Sequence, residues 1–127
     1  MNPKSTNIAY WIITTILLLP LLASGLGFIA APPPIMEGMR GLGYPPYLMR
    51  FLGLAKVLAV LAIAAGSYPR IKEWAYAGLT FLLLGAAYSH VRVGEMVKAS
   101  APLILLIVLG FSYSLWKRQT YPIAAEV

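Results

Sequence analysis

The chain has no cysteine and a single histidine, and charged residues make up only 11% of its 127 positions. Without cysteine there is no disulfide, no thiol redox relay and no thiolate metal site. One histidine excludes bis-histidine haem ligation within one chain, and no metal site is expected. No dinucleotide-binding fingerprint occurs, so the chain brings no evident redox centre of its own. The few charges are also too sparse for the surface of an ordinary soluble domain.

What fills the chain instead is apolar. Hydrophobic residues account for 60% of it, and the mean hydropathy is +0.77. This composition predicts an integral membrane protein. At ~20 residues per crossing, the length suits four spans with short connections and one domain covering residues 1–127. The net charge of +6 does not point to nucleic acid, because the ten Lys and Arg stand singly or in pairs between apolar runs, where they read as topology signals.

Taken in order, Lys4 precedes an apolar run that is too long for a signal peptide and meets Pro32, Pro33 and Pro34 where cleavage would be expected, so residues 8–30 are read as a retained first span. Pro20 interrupts its hydrogen bonding and predicts a kink. Residues 32–46 mix Glu37 and Arg40 with Met36, Met39 and Leu42 at helical spacing, which predicts a short interfacial helix or lid between spans one and two, against an irregular glycine-rich loop. The second span is 47–66, closed by Gly66 and the turn Ser67-Tyr68-Pro69. The third is 73–93, and the fourth is 100–116, with Ser100 as cap and Pro102 in its first turn. Gly78, Gly85 and Ser89 share a face of span three, predicting close approach of a neighbouring helix or a homodimer contact.

Four spans put both termini on one side with Lys4, Arg70, Lys72, Lys117 and Arg118. The opposite side holds Arg40, Arg50, Arg92 and Lys98. That bias places the termini in the cytoplasm of a cell-membrane, multi-pass protein. Trp11, Trp74 and Trp116 all fall at the same boundary and read as an interfacial belt.

Helical rise then brings the unusual polar groups to similar depth. Ser24 lies ~24 Å above residue 8 and His90 ~25 Å above residue 73, while Lys56 lies ~15 Å above residue 66 with a side chain directed toward the outer side. A lysine near the bilayer centre costs ~2.5–3.5 kcal/mol and calls for a polar interior or a partner. These positions predict an outward-opening pocket lined by Ser24, Glu37, Lys56, Ser89 and His90, with Arg50 at its rim. The competing structural reading has Lys56 snorkelling, His90 capping a helix and Glu37 pairing with Arg40 at the surface.

Ser24-Gly25, Glu37, the run Leu42-Gly43-Tyr44-Pro45-Pro46-Tyr47-Leu48, Gly53, Lys56-Val57-Leu58, Pro69-Arg70-Ile71-Lys72-Glu73-Trp74-Ala75-Tyr76-Ala77-Gly78, Gly85-Ala86 and Ser89-His90 together resemble the DoxX-like family. The resemblance runs from span one through span three. It implies an all-α, four-helix integral membrane protein. Some members of the wider DoxX group are associated with oxidoreductase systems, including membrane thiosulfate:quinone oxidoreductases, and a distant animal branch contains a receptor-assembly chaperone. The DoxX-like subgroup itself mostly lacks an assigned activity, so the resemblance speaks to architecture more than to chemistry.

Three functions follow from these readings. In the first, the pocket binds a small amphiphile, a quinone or lipid, or serves an accessory or assembly role with a membrane-protein partner. In the second, the chain is the membrane subunit of a quinone-coupled oxidoreductase, with His90 as candidate proton donor and electrons supplied from elsewhere. The third, a small-solute transporter or channel, ranks last because no inverted repeat is visible.

Overall fold

Four of the chain's helices have proline as their first residue, which sets the backbone angle a helix needs and gives up an N–H that would have no partner there. A computed structural model describes residues 2–120. It is all-helical, with α1 at Pro3–Ala30, α2 at Pro33–Gly41, α3 at Pro46–Ala65, α4 at Pro69–Arg92 and α5 at Ser100–Thr120. No strand occurs among the described residues. The Asn2 side chain caps α1 by accepting from the Ser5 amide at 2.8 Å, and α1 continues through Pro20. Gly66, at φ 64°, ends α3 in the left-handed conformation that glycine adopts without a Cβ penalty. Ser100 does not cap through its side chain as expected: its hydroxyl donates back to the Val97 carbonyl at 2.6 Å.

The first three long helices start somewhat earlier than the sequence-based spans and the fourth starts at Ser100 as expected, and the connection between the first two contains a helix, α2, as its 3-to-4 spacing predicted. Three helices, α1, α3 and α5, are long and apolar enough to cross a membrane. The fourth long helix, α4, is not among them, because Trp, Tyr, Gly, Thr, Ser and His dilute its apolar stretch between the charges at its two ends.

The four long helices pack around a shared core. α1 lies against α3 and α5, α4 lies against α5 and α3, and α2 rests on α1 and α3. Gln119 donates to Asn7, Lys72 to Tyr10, and Lys117 pairs with Glu73 at one end. Tyr44 meets Ser89 at the other. Neighbouring long helices are therefore antiparallel. The core is built from Leu17, Leu21, Ile63, Leu79 and Leu83, with one hydroxyl relay through its middle: Ser112 Oγ lies 2.6 Å from Thr14 Oγ1 and 2.7 Å from Tyr76 Oη. Large apolar side chains such as Ile12, Leu19, Leu58, Phe81 and Ile107 face outward, the surface expected of helices solvated by lipid.

Three sequence expectations change here. Within the chain, the close helix approach is not at Gly78 and Gly85, where an added Cβ would meet nothing within 4 Å. It is between α1 and α3, where a Cβ on Gly53 would lie 2.7 Å from the Gly25 carbonyl oxygen and 2.8 Å from Phe28 Cβ. Trp116 is not a belt residue: it is buried and stacked on Tyr76 at a ring separation of 5.6 Å, whereas Trp11 and Trp74 are exposed. Lys72 does not face a membrane surface, being only 5% exposed.

Candidate functional site

The buried stripe of α3 is Met49, Gly53, Lys56, Val60 and Ile63, an alternation of three- and four-residue steps that carries one face of a helix along the core. Lys56 falls in phase with the apolar residues, and so is drawn inward with them. It is 7% exposed. Its Nζ donates to Ser24 Oγ at 2.8 Å and lies 3.7 Å from the Phe28 ring centroid, close enough for a cation–π contact. Both partners come from α1, and the Gly25–Gly53 approach immediately beside them brings α1 near enough for the lysine to reach. Among the described residues Lys56 has no carboxylate partner.

Lys56 lines a cavity of about 360 Å³. Phe28 of α1, Met39 of α2, Leu52 of α3, and Phe81, Leu82, Gly85 and His90 of α4 are among its walls, with Tyr44 from the α2–α3 connection. Apart from Lys56, His90 and the Tyr44 hydroxyl, the lining is apolar. The openness of Gly85 to a Cβ is explained by this cavity: the glycine faces space, not a helix.

His90 enters from the last turn of α4. Gly94, at φ 83°, reverses the chain there, and the Glu95 amide donates to the His90 carbonyl at 2.8 Å. This return brings Glu95 Oε1 to 3.1 Å from His90 Nδ1, while Glu95 Oε2 pairs with Lys98 at 2.9 Å. The hydrogen bond from Lys98, and after it the one from His90, holds the Glu95 carboxyl below its ordinary value of 4.5. A carboxylate on Nδ1 fixes the imidazole's orientation and leaves Nε2 open to a further hydrogen bond.

A sequence model of the DoxX-like family matches residues 12–112. The chain belongs to the DoxX-like family. With three apolar helices of spanning length, it is a DoxX-like membrane protein. Comparison with curated proteins and with solved structures gives no match. The whole cavity of this DoxX-like protein, from Phe28 to His90, lies within the matched residues.

Of the six residues that the sequence pointed to, Lys56 and His90 share the cavity wall. Ser24 holds Lys56 from behind. Ser89 is engaged elsewhere: its hydroxyl donates to the Gly85 carbonyl at 2.8 Å and accepts from Tyr44 Oη at 2.5 Å, which ties α4 to the α2–α3 connection. Glu37 and Arg50 do not line the cavity and are exposed. Arg50 follows buried Met49 by one residue, a rotation of ~100° away from the core stripe, and Glu37 lies two residues from buried Met39, across the helix from it. Nor does Glu37 pair with Arg40 among the described residues. The carboxylate at the histidine is Glu95.

A second buried cation in the DoxX-like chain escaped the sequence reading. Lys72 Nζ donates to Tyr10 Oη at 2.6 Å and lies 4.8 Å from the ring centroids of both Tyr10 and Trp116. Beside it Glu73 accepts from Tyr113 and pairs with Lys117 at 2.8 Å. The missed signal was phase: Lys72 leads the stripe Ala75, Tyr76, Leu79, Leu83, Ala87 that α4 buries. Two residues from Arg70, it reads from sequence as a flanking charge.

Proposed function

We propose that this DoxX-like protein is a single four-helix bundle spanning the cell membrane four times, with termini in the cytoplasm and α2 as an interfacial lid, and that it binds a small amphiphile, a quinone or lipid, at the Lys56–His90 cavity. The antiparallel pairing of four long helices and their apolar outer faces support the bundle. The observation that carries the binding role is the meeting of Lys56 and His90, from different helices, on one otherwise apolar cavity of about 360 Å³. Such a site can hold a polar head and an apolar body together. An accessory or assembly role would use the same bound amphiphile or a membrane-protein partner.

The test is mass spectrometry of what copurifies with wild type and with Lys56→Met, both extracted in the same nanodiscs. One amphiphile enriched over bulk lipid in wild type and lost from the variant is expected. Equal lipid profiles, with no thermal shift on adding quinone or lipid to either protein, would overturn the binding role.

The His90–Glu95 contact supports a second reading, a membrane subunit of a quinone-coupled oxidoreductase in which His90 moves a proton and a partner supplies electrons. Unchanged quinone turnover after His90→Ala in a reconstituted system would exclude it.

A further inference from the structure

The α3–α4 seam does not end at the upper cavity. Leu82 also lines a second groove of about 350 Å³, nearer the Glu73 end, whose walls include Ala59 and Ala62 of α3 and Trp74, Ala75 and Gly78 of α4. No charged residue lines this lower groove, and an added Cβ on Gly78 would meet nothing within 4 Å. The two spaces share a wall residue and lie between the same two helices, so they form successive parts of one seam. From His90 to Trp74 the seam is ~24 Å long, and from Leu82 to Trp74 it is ~12 Å, at the rise of an α-helix. One leaflet's acyl chain occupies ~15 Å, half of the ~30 Å hydrocarbon core.

The two ends of the seam differ in charge. The upper space presents Lys56 at its lower limit, one residue from Ala55 of the lower groove, and its contacts are a neutral hydroxyl and an aromatic ring. Its walls contain no carboxylate. The glutamates among the described residues are engaged or distant: Glu95 with His90 and Lys98, Glu73 with Lys117 and Tyr113, and Glu37 exposed on α2. A buried cation with only neutral neighbours is complemented by an anion. One ammonium and one imidazole match the single charge and two oxygens of a carboxylate better than a phosphate, which carries more charge and more acceptor oxygens. A groove of about 350 Å³, opened by the small residues Ala59, Ala62 and Gly78, has room for one chain.

We propose that the seam binds a single-chain carboxylate amphiphile of the fatty-acid type, with its head at Lys56 and its tail along Ala59, Ala62 and Gly78. This rests on the amphiphile reading above and names its ligand class. The head displaces no protein carboxylate, and the tail exchanges lipid contact for the small-residue groove.

The experiment uses the full chain in phosphatidylcholine nanodiscs and a palmitic acid analogue carrying a mid-chain diazirine, with crosslinked peptides mapped by mass spectrometry. Labelling is expected on the α3 and α4 peptides flanking the seam. Palmitate should compete for it at least about tenfold better than hexadecanol, the scale of one charge-assisted hydrogen bond. Lys56→Met should lower labelling by about tenfold, and Lys56→Arg should retain most of it. Gly78→Leu fills the lower groove from a position with room for a side chain, and should remove lower-groove labelling with Lys56 intact. If hexadecanol competes as well as palmitate, or Lys56→Met labels like wild type, the carboxylate assignment falls and the amphiphile reading stands. Labelling spread over all outward faces, with competition by neither probe, would remove both.

Discussion

At the scale of single residues, Lys56 and Ser24 should respond to substitution in opposite directions. Ser24→Ala removes the hydroxyl that accepts from a buried ammonium, and is expected to cost about 1–2 kcal/mol. Lys56→Met removes the charge itself while keeping an unbranched chain, so its stability should be unchanged or raised by about 1–3 kcal/mol. Thermal midpoints in one detergent check both, and a large loss in Lys56→Met would show that the ammonium is held by more than Ser24 and Phe28. Glu95 gives a pH prediction. Its carboxyl is held below the ordinary 4.5 by Lys98 and then His90, so the stability it contributes is present above that value and lost as pH falls through its lowered folded-state value. The thermal midpoint should fall below about pH 4.5 in wild type, and Glu95→Gln should flatten that part of the profile. Much of this site was legible beforehand. Depth arithmetic put Ser24 and Lys56 within reach, since axial rise depends only on residue count. Rise alone does not specify rotation around the helix axis, which is what takes Glu37 off the cavity wall, turns Arg50 away from the core stripe and buries Lys72. Glu95 required the turn at Gly94, whose path no periodicity specifies.

At the scale of helices, glycines divide into two kinds that sequence alone does not separate. Gly53→Ala would put a methyl carbon 2.7 Å from the Gly25 carbonyl oxygen, so α1 and α3 must move apart, at an expected cost of about 1–3 kcal/mol. The same change at Gly85 meets nothing within 4 Å and should stabilise by about 0.5–1 kcal/mol through helix propensity. Chemical denaturation of the two single variants distinguishes them, and similar losses in both would contradict the geometry. The existence of four long helices was readable from apolar run length, and that of α2 from the spacing of Met36, Met39 and Leu42. Which faces meet was less so, because a face rich in Gly, Ala and Ser serves equally for a tight helix contact or for the wall of a cavity. Trp116 shows the same ambiguity. Its position beside Lys117 suggested an interface, while its ring is one layer of a stack with Tyr76 and an edge contact with Tyr113.

At the scale of the whole molecule, the lack of native cysteine makes the proposed topology directly testable. Single cysteines replacing Lys4 and Met96, both exposed and at opposite ends of the helices, should react with a membrane-impermeant maleimide from opposite sides of the bilayer, with position 4 reached only from the cytoplasm. Labelling of both positions from one side would exclude four crossings. The packing also predicts uneven stiffness. The α1–α3 contact brings backbone close to backbone, whereas the α3–α4 seam contains two spaces that share Leu82 as a wall. Amide exchange should accordingly be slower around Gly25 and Gly53 than around Gly78 and Gly85, because local opening is easier where fewer atoms must part. The expected consequence is mechanical. α1 and α3 form a fixed rail, and the proposed guest would enter sideways from the lipid where the α3–α4 seam is loosest, near Gly78 and Gly85.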